Sequence, residues 1–233
     1  MASNRGQTMT KPLSRHDLRT VHDTLLACYG PQHWWPGETP FEVMVGAILT
    51  QNTAWSNVER AIQQLVAANH LNPEAIATAD PTTLGALIRP TGYFNIKARR
   101  LQGFCQWYLA RGQREALMEM PTVALRRELL AVKGIGPETA DDILLYAFAR
   151  PVFVIDAYTR RLLARLGITR GDEPYEALRA LFEETLGANV ALFNEYHALI
   201  VRHAKERCRK RQALCEGCVL AACCQKEEGI TAS

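Results

Sequence analysis

The sequence predicts an all-α protein. Three observations carry this: apolar residues recur at helical spacing along nearly every segment, proline stands behind a capping residue at several helix starts, and glycines stand where helices should stop. A length of 233 residues and a hydrophobic content of 48% allow one large or two small domains with a real core. No apolar run is long enough to span a bilayer and no signal-peptide pattern opens the chain, so a cytoplasmic protein without a membrane partner is expected.

Taken in order, Met1–Thr10 is polar and without periodicity, which predicts a disordered tail. Ser14 caps a helix that carries Leu18, Val21, Leu25 and Leu26 and stops at Gly30. Thr39-Pro40 opens a second helix over Phe41 to Thr50, apolar nearly all round and therefore the expected central core helix. Ala54–Ala68 places Val58, Ala61, Ile62 and Leu65 on one stripe, Asp80-Pro81 starts a short helix, and Ile96–Ala110 adds Leu101, Phe104 and Tyr108. Pro121-Thr122 and Pro137 start two further helices, the second reaching about Phe148. Three amphipathic segments follow, Ala157–Leu166, Pro174–Leu186 and Val190–Arg207, with Gly167 and Gly187 as C-caps.

Between the helices at Pro121 and Pro137 lies Val132-Lys133-Gly134-Ile135-Gly136-Pro137-Glu138-Thr139-Ala140, a helix-hairpin-helix turn. Gly134 and Gly136 let a ligand approach the backbone, and unpaired amides at the start of the next helix suit a phosphate, with a monovalent cation as a bridge to the turn carbonyls. An ordinary corner between helices has the same local signature. Downstream, the apolar run Val152-Phe153-Val154-Ile155 ends in Asp156, which local chemistry reads equally as a helix cap or as a catalytic carboxylate.

The cysteines divide by position. Cys28 and Cys105 sit on apolar helix faces and are expected in the core. Cys208, Cys215, Cys218 and Cys224 form C-x6-C-x2-C-x5-C, with Cys223 left over. Four thiolates at this spacing hold either one zinc ion or one iron–sulfur cubane, and residue chemistry alone leaves both open. The formal charge of +3 is weak evidence for a nucleic-acid partner. Its distribution says more, because Arg202, Lys205, Arg207, Arg209, Lys210 and Arg211 face one acid, Glu206, over ten residues; a solvated helix end is the bland alternative.

The hairpin followed by Asp156 resembles the helix-hairpin-helix DNA glycosylase superfamily, of the endonuclease III-like kind, from about Ser14 to Cys224. The resemblance implies a six-helix barrel domain over 36–150 and a second domain of both chain ends, 1–35 and 151–233, with DNA between them and Asp156 at the cleft. It implies a monomer that binds double-stranded DNA, extrudes a damaged base and hydrolyses its glycosidic bond in base excision repair, in the cytoplasm at the nucleoid. Gln51 and Asn52 in one loop and Tyr93 in another would wedge into the vacated stack, and Gly134 and Gly136 would hold a phosphate. The cysteine spacing matches the motif of this family at every interval, which implies a [4Fe–4S] cluster on Cys208, Cys215, Cys218 and Cys224 that stiffens Arg209, Lys210 and Arg211 against DNA. One departure matters. Members that also cut the strand carry lysine where this chain has Glu138, and a carboxylate forms no Schiff base, so catalysis is assigned to Asp156 and Glu138 without strand cleavage. The Glu-Thr-Ala sequence is similar to a branch that excises 3-methylated purines, which generally lacks the cysteines, so alkylated purines and oxidised pyrimidines compete as substrates. Lys133 and Lys97 could restore strand cleavage from a displaced position, and a lesion-binding protein without activity is the reading from another class.

Overall fold

Helix starts follow the capping chemistry of the sequence. A computed structural model of the chain describes residues 17–34 and 37–225; the expected Ser14 cap, the Met1–Thr10 tail and Trp35 lie outside the described residues. Among the described residues every regular element is helical and none is a strand, which is the all-α class expected. They group into two units, the described parts of Met1–His33 with Ile155–Ser233, and Trp34–Val154.

In the unit Trp34–Val154, helix α2 (Pro40–Leu49) starts behind Thr39, whose hydroxyl accepts the Glu42 amide at 3.1 Å. It buries Val43, Met44, Val45, Gly46, Ile48 and Leu49 and is the central helix of the unit. Helix α3 (Trp55–Ala67) packs on α2 through an apolar stripe that includes Val58, Ala61 and Leu65. Two short helices, α4 (Pro73–Thr78) and α5 (Pro81–Leu87), begin behind Asn72 and Asp80, whose side chains accept the amides of Ala75 at 2.8 Å and Thr83 at 2.9 Å. A 3₁₀ turn, Arg89–Thr91, leads into α6 (Phe94–Ala110), against which α2, α4 and α5 pack. Helices α7 (Gln113–Met118), α8 (Thr122–Ala131) and α9 (Pro137–Asp142) follow, and α9 continues as a π-helical turn, Ile143–Ala147.

Sequence periodicity does not reveal α4 or α7, since each is six residues long and buries a single apolar side chain, Ile76 or Leu117. Nor does it reveal the π turn. All five of its residues are buried, and a run apolar on every side carries no phase from which a widened turn can be read.

The second unit is built from α1 (Asp17–Tyr29), α10 (Ala157–Arg165), α11 (Tyr175–Leu186) and α12 (Val190–Glu206). Helix α1 packs on α11 and α12, and α10 packs on α12. Tyr196 is fully enclosed among them and donates its hydroxyl proton to the Leu18 carbonyl at 2.8 Å. Cys105 is buried as expected, and burial pushes its thiol up to about 12. Cys28 corrects the expectation, because it lies on the exposed side of α1. The helix turns its core face through Leu18, Val21 and Leu25, and position 28 falls at the edge of that stripe.

Lys97 is the most unexpected residue of the core. Its side chain is buried on α6, and its ammonium donates to the carbonyls of Leu49 and Thr91, each at 2.8 Å. Both carbonyls lie at helix C-terminal ends, of α2 and of the 3₁₀ turn, where a cation satisfies orphan acceptors and opposes the helix dipole. This position corrects the expectation of Lys97 as a displaced nucleophile, since its donors are spent inside the fold. Burial, and then the charge of Arg100, pull its pKa down to about 8 from 10.5. Between those values the unfolded chain binds a proton that the folded chain has released, so this group's contribution to stability rises with pH across that window. In urea unfolding, Lys97→Met is expected to cost about 1–3 kcal/mol at pH 7.5 by stranding two carbonyls, and its deficit relative to the wild type is expected to grow by pH 10. A deficit that does not change with pH would show that the amine does not titrate there.

Candidate functional site

The hairpin between α8 and α9 is closed by a turn in which the Ile135 amide donates to the Val132 carbonyl at 3.0 Å. Gly134, the third residue of that turn, has φ +93°, and a Cβ there would stand 2.6 Å from Cγ and 2.7 Å from Cδ of Arg100. Fold geometry therefore requires this glycine. Gly136 differs, because its φ is −94° and an added Cβ would meet nothing within 4 Å. Across the two helices, Arg126 grips the buried Asp141 with two bonds, Nε to Oδ1 at 2.7 Å and Nη2 to Oδ2 at 3.1 Å. From the end of α2, Gln51 donates to the Gly134 carbonyl and to the Thr139 hydroxyl, both at 3.0 Å, while Arg100 donates to its Oε1 at 2.6 Å. Gln51, expected to reach DNA, thus has its amide committed to the hairpin. Glu138 stands exposed in the first turn of α9, and Lys133 is exposed on the turn itself.

Two loop tips of the same unit carry Asn52 and Tyr93, and both residues adopt left-handed backbone, with φ +54° and +46°. Such conformations cost a non-glycine residue free energy, and Tyr93 in addition is 72% exposed, so little of it is packed locally. Lys97 binds the backbone just ahead of each tip, at Leu49 and Thr91. An aromatic group stands in this unit as well. The ring of Trp34 meets Tyr146 edge to face at 5.1 Å and Trp55 at 6.5 Å between centroids.

In the other unit, Asp156 is the N-cap of α10, its Oδ1 accepting the Thr159 amide at 2.7 Å. Its Oδ2 lies 3.5 Å from Nε2 of His197, a buried residue of α12. Burial raises this carboxyl, but His197 and the Thr159 amide outweigh it and hold the group below the ordinary carboxylate range. Arg160 and Arg161, on the next turn, donate to backbone carbonyls, Arg160 to Glu173 at 2.7 Å and Arg161 to Cys208 at 2.9 Å.

The C-terminal cysteines form no disulfide. Cys208 is buried and receives Nη1 of Arg165 at 3.1 Å on its sulfur, Cys215 and Cys218 flank a tight turn closed at 3.1 Å, and the Cys224 thiol donates to the Arg165 carbonyl at 3.3 Å. Burial pushes the Cys224 thiol up, and Cys208, Cys218 and Cys215 push it further. Among the described residues no three His, Cys, Asp or Glu side chains are gathered to hold a single metal ion. A donor set of four soft thiols, with a cationic guanidinium on one sulfur, nonetheless fits a group bearing net negative charge when ligated by thiolates. Arg209, Lys210 and Arg211 are exposed on the loop between the first two of these cysteines.

Residues 45–187 match the family of HhH-GPD superfamily base excision DNA repair proteins. The chain belongs to this superfamily. An endonuclease III of Sulfolobus acidocaldarius is 30% identical over 186 residues, 79% of this chain and 81% of that protein. A Methanocaldococcus jannaschii protein, assigned by inference as a DNA repair glycosylase, is 46% identical over 207 residues, covering 88% and 94%. Among solved structures, a 3-methyladenine DNA glycosylase of H. pylori bound to 1,N6-ethenoadenine has a TM-score of 0.71 at 31% identity, over 82% of this chain and 97% of that one. This is thus a DNA glycosylase fold of base excision repair, and the matched HhH-GPD span takes in both the hairpin and Asp156 while ending before the cysteine loop.

Several residues of this HhH-GPD chain that hold the site together escape a sequence reading focused on motifs. Asp141 is an acid beside the wholly apolar run 143–148, and His197 falls at core spacing between Phe193 and Ile200 of α12, so each left a signal as a polar residue on a buried face. Lys97 and Arg100 left none, because long basic side chains on an amphipathic helix are ordinarily solvated. Gly134→Ala is expected to lower stability by about 2–4 kcal/mol, since it combines a left-handed backbone with a clash at Arg100, whereas Gly136→Ala is expected to change stability by under about 1 kcal/mol. Equal losses in thermal melting would contradict the different reasons given for the two glycines.

Proposed function

We propose that this chain is a monofunctional DNA glycosylase that releases an alkylated purine by hydrolysis and leaves the strand uncut. The observation that carries this is Glu138, an exposed carboxylate in the first turn of the hairpin's second helix, where strand-cutting members of the superfamily carry a lysine. A carboxylate offers no amine for a Schiff base, and the burial of Lys97 removes one substitute and leaves Lys133 as the other. The likeness to an H. pylori enzyme named for 3-methyladenine, together with the aromatic group Trp34, Trp55 and Tyr146, supports a purine that is already cationic.

Asp156 supplies the chemistry. As the glycosidic bond lengthens, positive charge grows on the sugar, and an ionised carboxylate held in a water-poor environment stabilises it. The alkylated base leaves without strong protonation and water completes the hydrolysis. Asn52 and Tyr93, already set in left-handed loop tips, fill the space left by the extruded nucleotide. Gly136 supports phosphate contact at the hairpin, because nothing inside the fold needs a glycine there while a backbone phosphate does. A monovalent cation at the turn would share carbonyls already in use, Val132 by Ile135 and Gly134 by Gln51. Cys208, Cys215, Cys218 and Cys224 would hold the [4Fe–4S] cluster, which would brace the loop of Arg209, Lys210 and Arg211 against DNA.

Single-turnover assays on duplexes carrying 1,N6-ethenoadenine, 3-methyladenine or thymine glycol are expected to show a purine released at least about tenfold faster than the pyrimidine, with Asp156→Asn slower by about a hundredfold at unchanged DNA affinity. Borohydride should trap no adduct in the wild type and should trap one in Glu138→Lys. Fast thymine glycol release with efficient trapping would replace this reading by a pyrimidine glycosylase that also cuts the strand.

Protein purified without oxygen is expected to be yellow-brown with about four irons per chain. Cys218→Ala should lose that iron and Cys223→Ala should keep it. Stoichiometric zinc in place of iron would overturn the cluster assignment.

A further inference from the structure

We infer that His197 is the positioning residue of Asp156, its buried imidazole holding the second carboxylate oxygen so that the group stays ionised and aimed when water leaves. This rests on the reading of Asp156 as the carboxylate that faces the developing charge on the sugar.

The geometry separates the two tasks of Asp156. Oδ1 is consumed by the Thr159 amide, and that single bond is all that a helix cap requires. Oδ2 lies instead 3.5 Å from Nε2 of His197, an ion-pair distance without hydrogen-bond geometry, with the two side chains only 14% and 5% exposed. An imidazole so deeply placed costs desolvation that a leucine would avoid. The other charged groups nearby are occupied elsewhere. On α10, Arg160 donates to the Glu173 carbonyl and Arg161 to the carbonyls of Cys208 and Ala204. On α1, which also packs on α12, His22 lies 2.8 Å from Asp23 and edge-on to Tyr196, and Arg19 donates to the carbonyls of Thr185 and Leu186. The Tyr175 hydroxyl accepts the Ile155 amide at 3.4 Å. His197 is therefore the group that opposes burial at Oδ2, and with it gone the carboxyl takes up a proton at higher pH.

The test uses the full chain and two abasic duplexes that differ in charge at the sugar position, a cationic pyrrolidine analogue and neutral tetrahydrofuran. Preference for the cation reads the carboxylate directly and needs no knowledge of the lesion. Wild type is expected to prefer pyrrolidine by at least about thirtyfold between pH 6 and 8. In His197→Leu, or His197→Met if the leucine variant does not fold, the preference should fall below about threefold at pH 6, return as pH rises, and leave tetrahydrofuran affinity within about twofold. His197→Gln, which keeps an N–H donor, should recover most of the preference. A preference kept in full by the leucine or methionine variant at pH 6 overturns the role of His197 alone. A wild type without preference, or one matched by Asp156→Asn, overturns the reading of Asp156 and this inference with it.

Discussion

One buried ammonium sets the geometry of the unit Trp34–Val154. Helix α2 is apolar on all sides and has to be enclosed, yet its C-terminal carbonyls cannot be enclosed without donors. Lys97 resolves this by reaching from α6 to the last residue of α2 and to the end of the 3₁₀ turn at once. Gln51 and Asn52 follow directly from the first of these ends, and Tyr93 from the second. The loop that braces the hairpin and both left-handed tips are thereby referred to a single point, and Arg100, one turn further along α6, extends the same reference to Gly134 through Gln51.

Much of this was legible in the sequence, and the limits have physical causes. Proline behind Thr39, Asp80 and Gly136 located helix starts because the missing amide and fixed φ suit no other position in a helix as well. The glycines of the hairpin were legible as a pair but not as two different cases, since backbone strain at Gly134 and open space at Gly136 appear only in three dimensions. Asp156 followed by Thr159 announced a cap, whereas the imidazole on its other oxygen comes from forty residues away and has no local signature. Cys28 misled for the opposite reason, because a hydrophobic stripe predicts a face and not its edge.

Asp156 also illustrates how a structural device and the reactive group we propose can share one side chain. A cap fixes the rotamer, lowers the entropy of the carboxylate and brings it to the positive end of α10, all of which favour an ionised group in a place poor in water. Local sequence cannot choose between cap and catalyst in such a case because the two uses reinforce each other.

The widened turn Ile143–Ala147 has an evolutionary consequence. A π turn carries one residue more than the α-helix it interrupts, so deleting a single codon within it restores regular winding while the residues after it keep their places. The side chains of the turn itself would be reset, Tyr146 against Trp34 among them. The aromatic group of this unit is thus open to change through length as well as through substitution, while the hairpin that precedes it stays untouched.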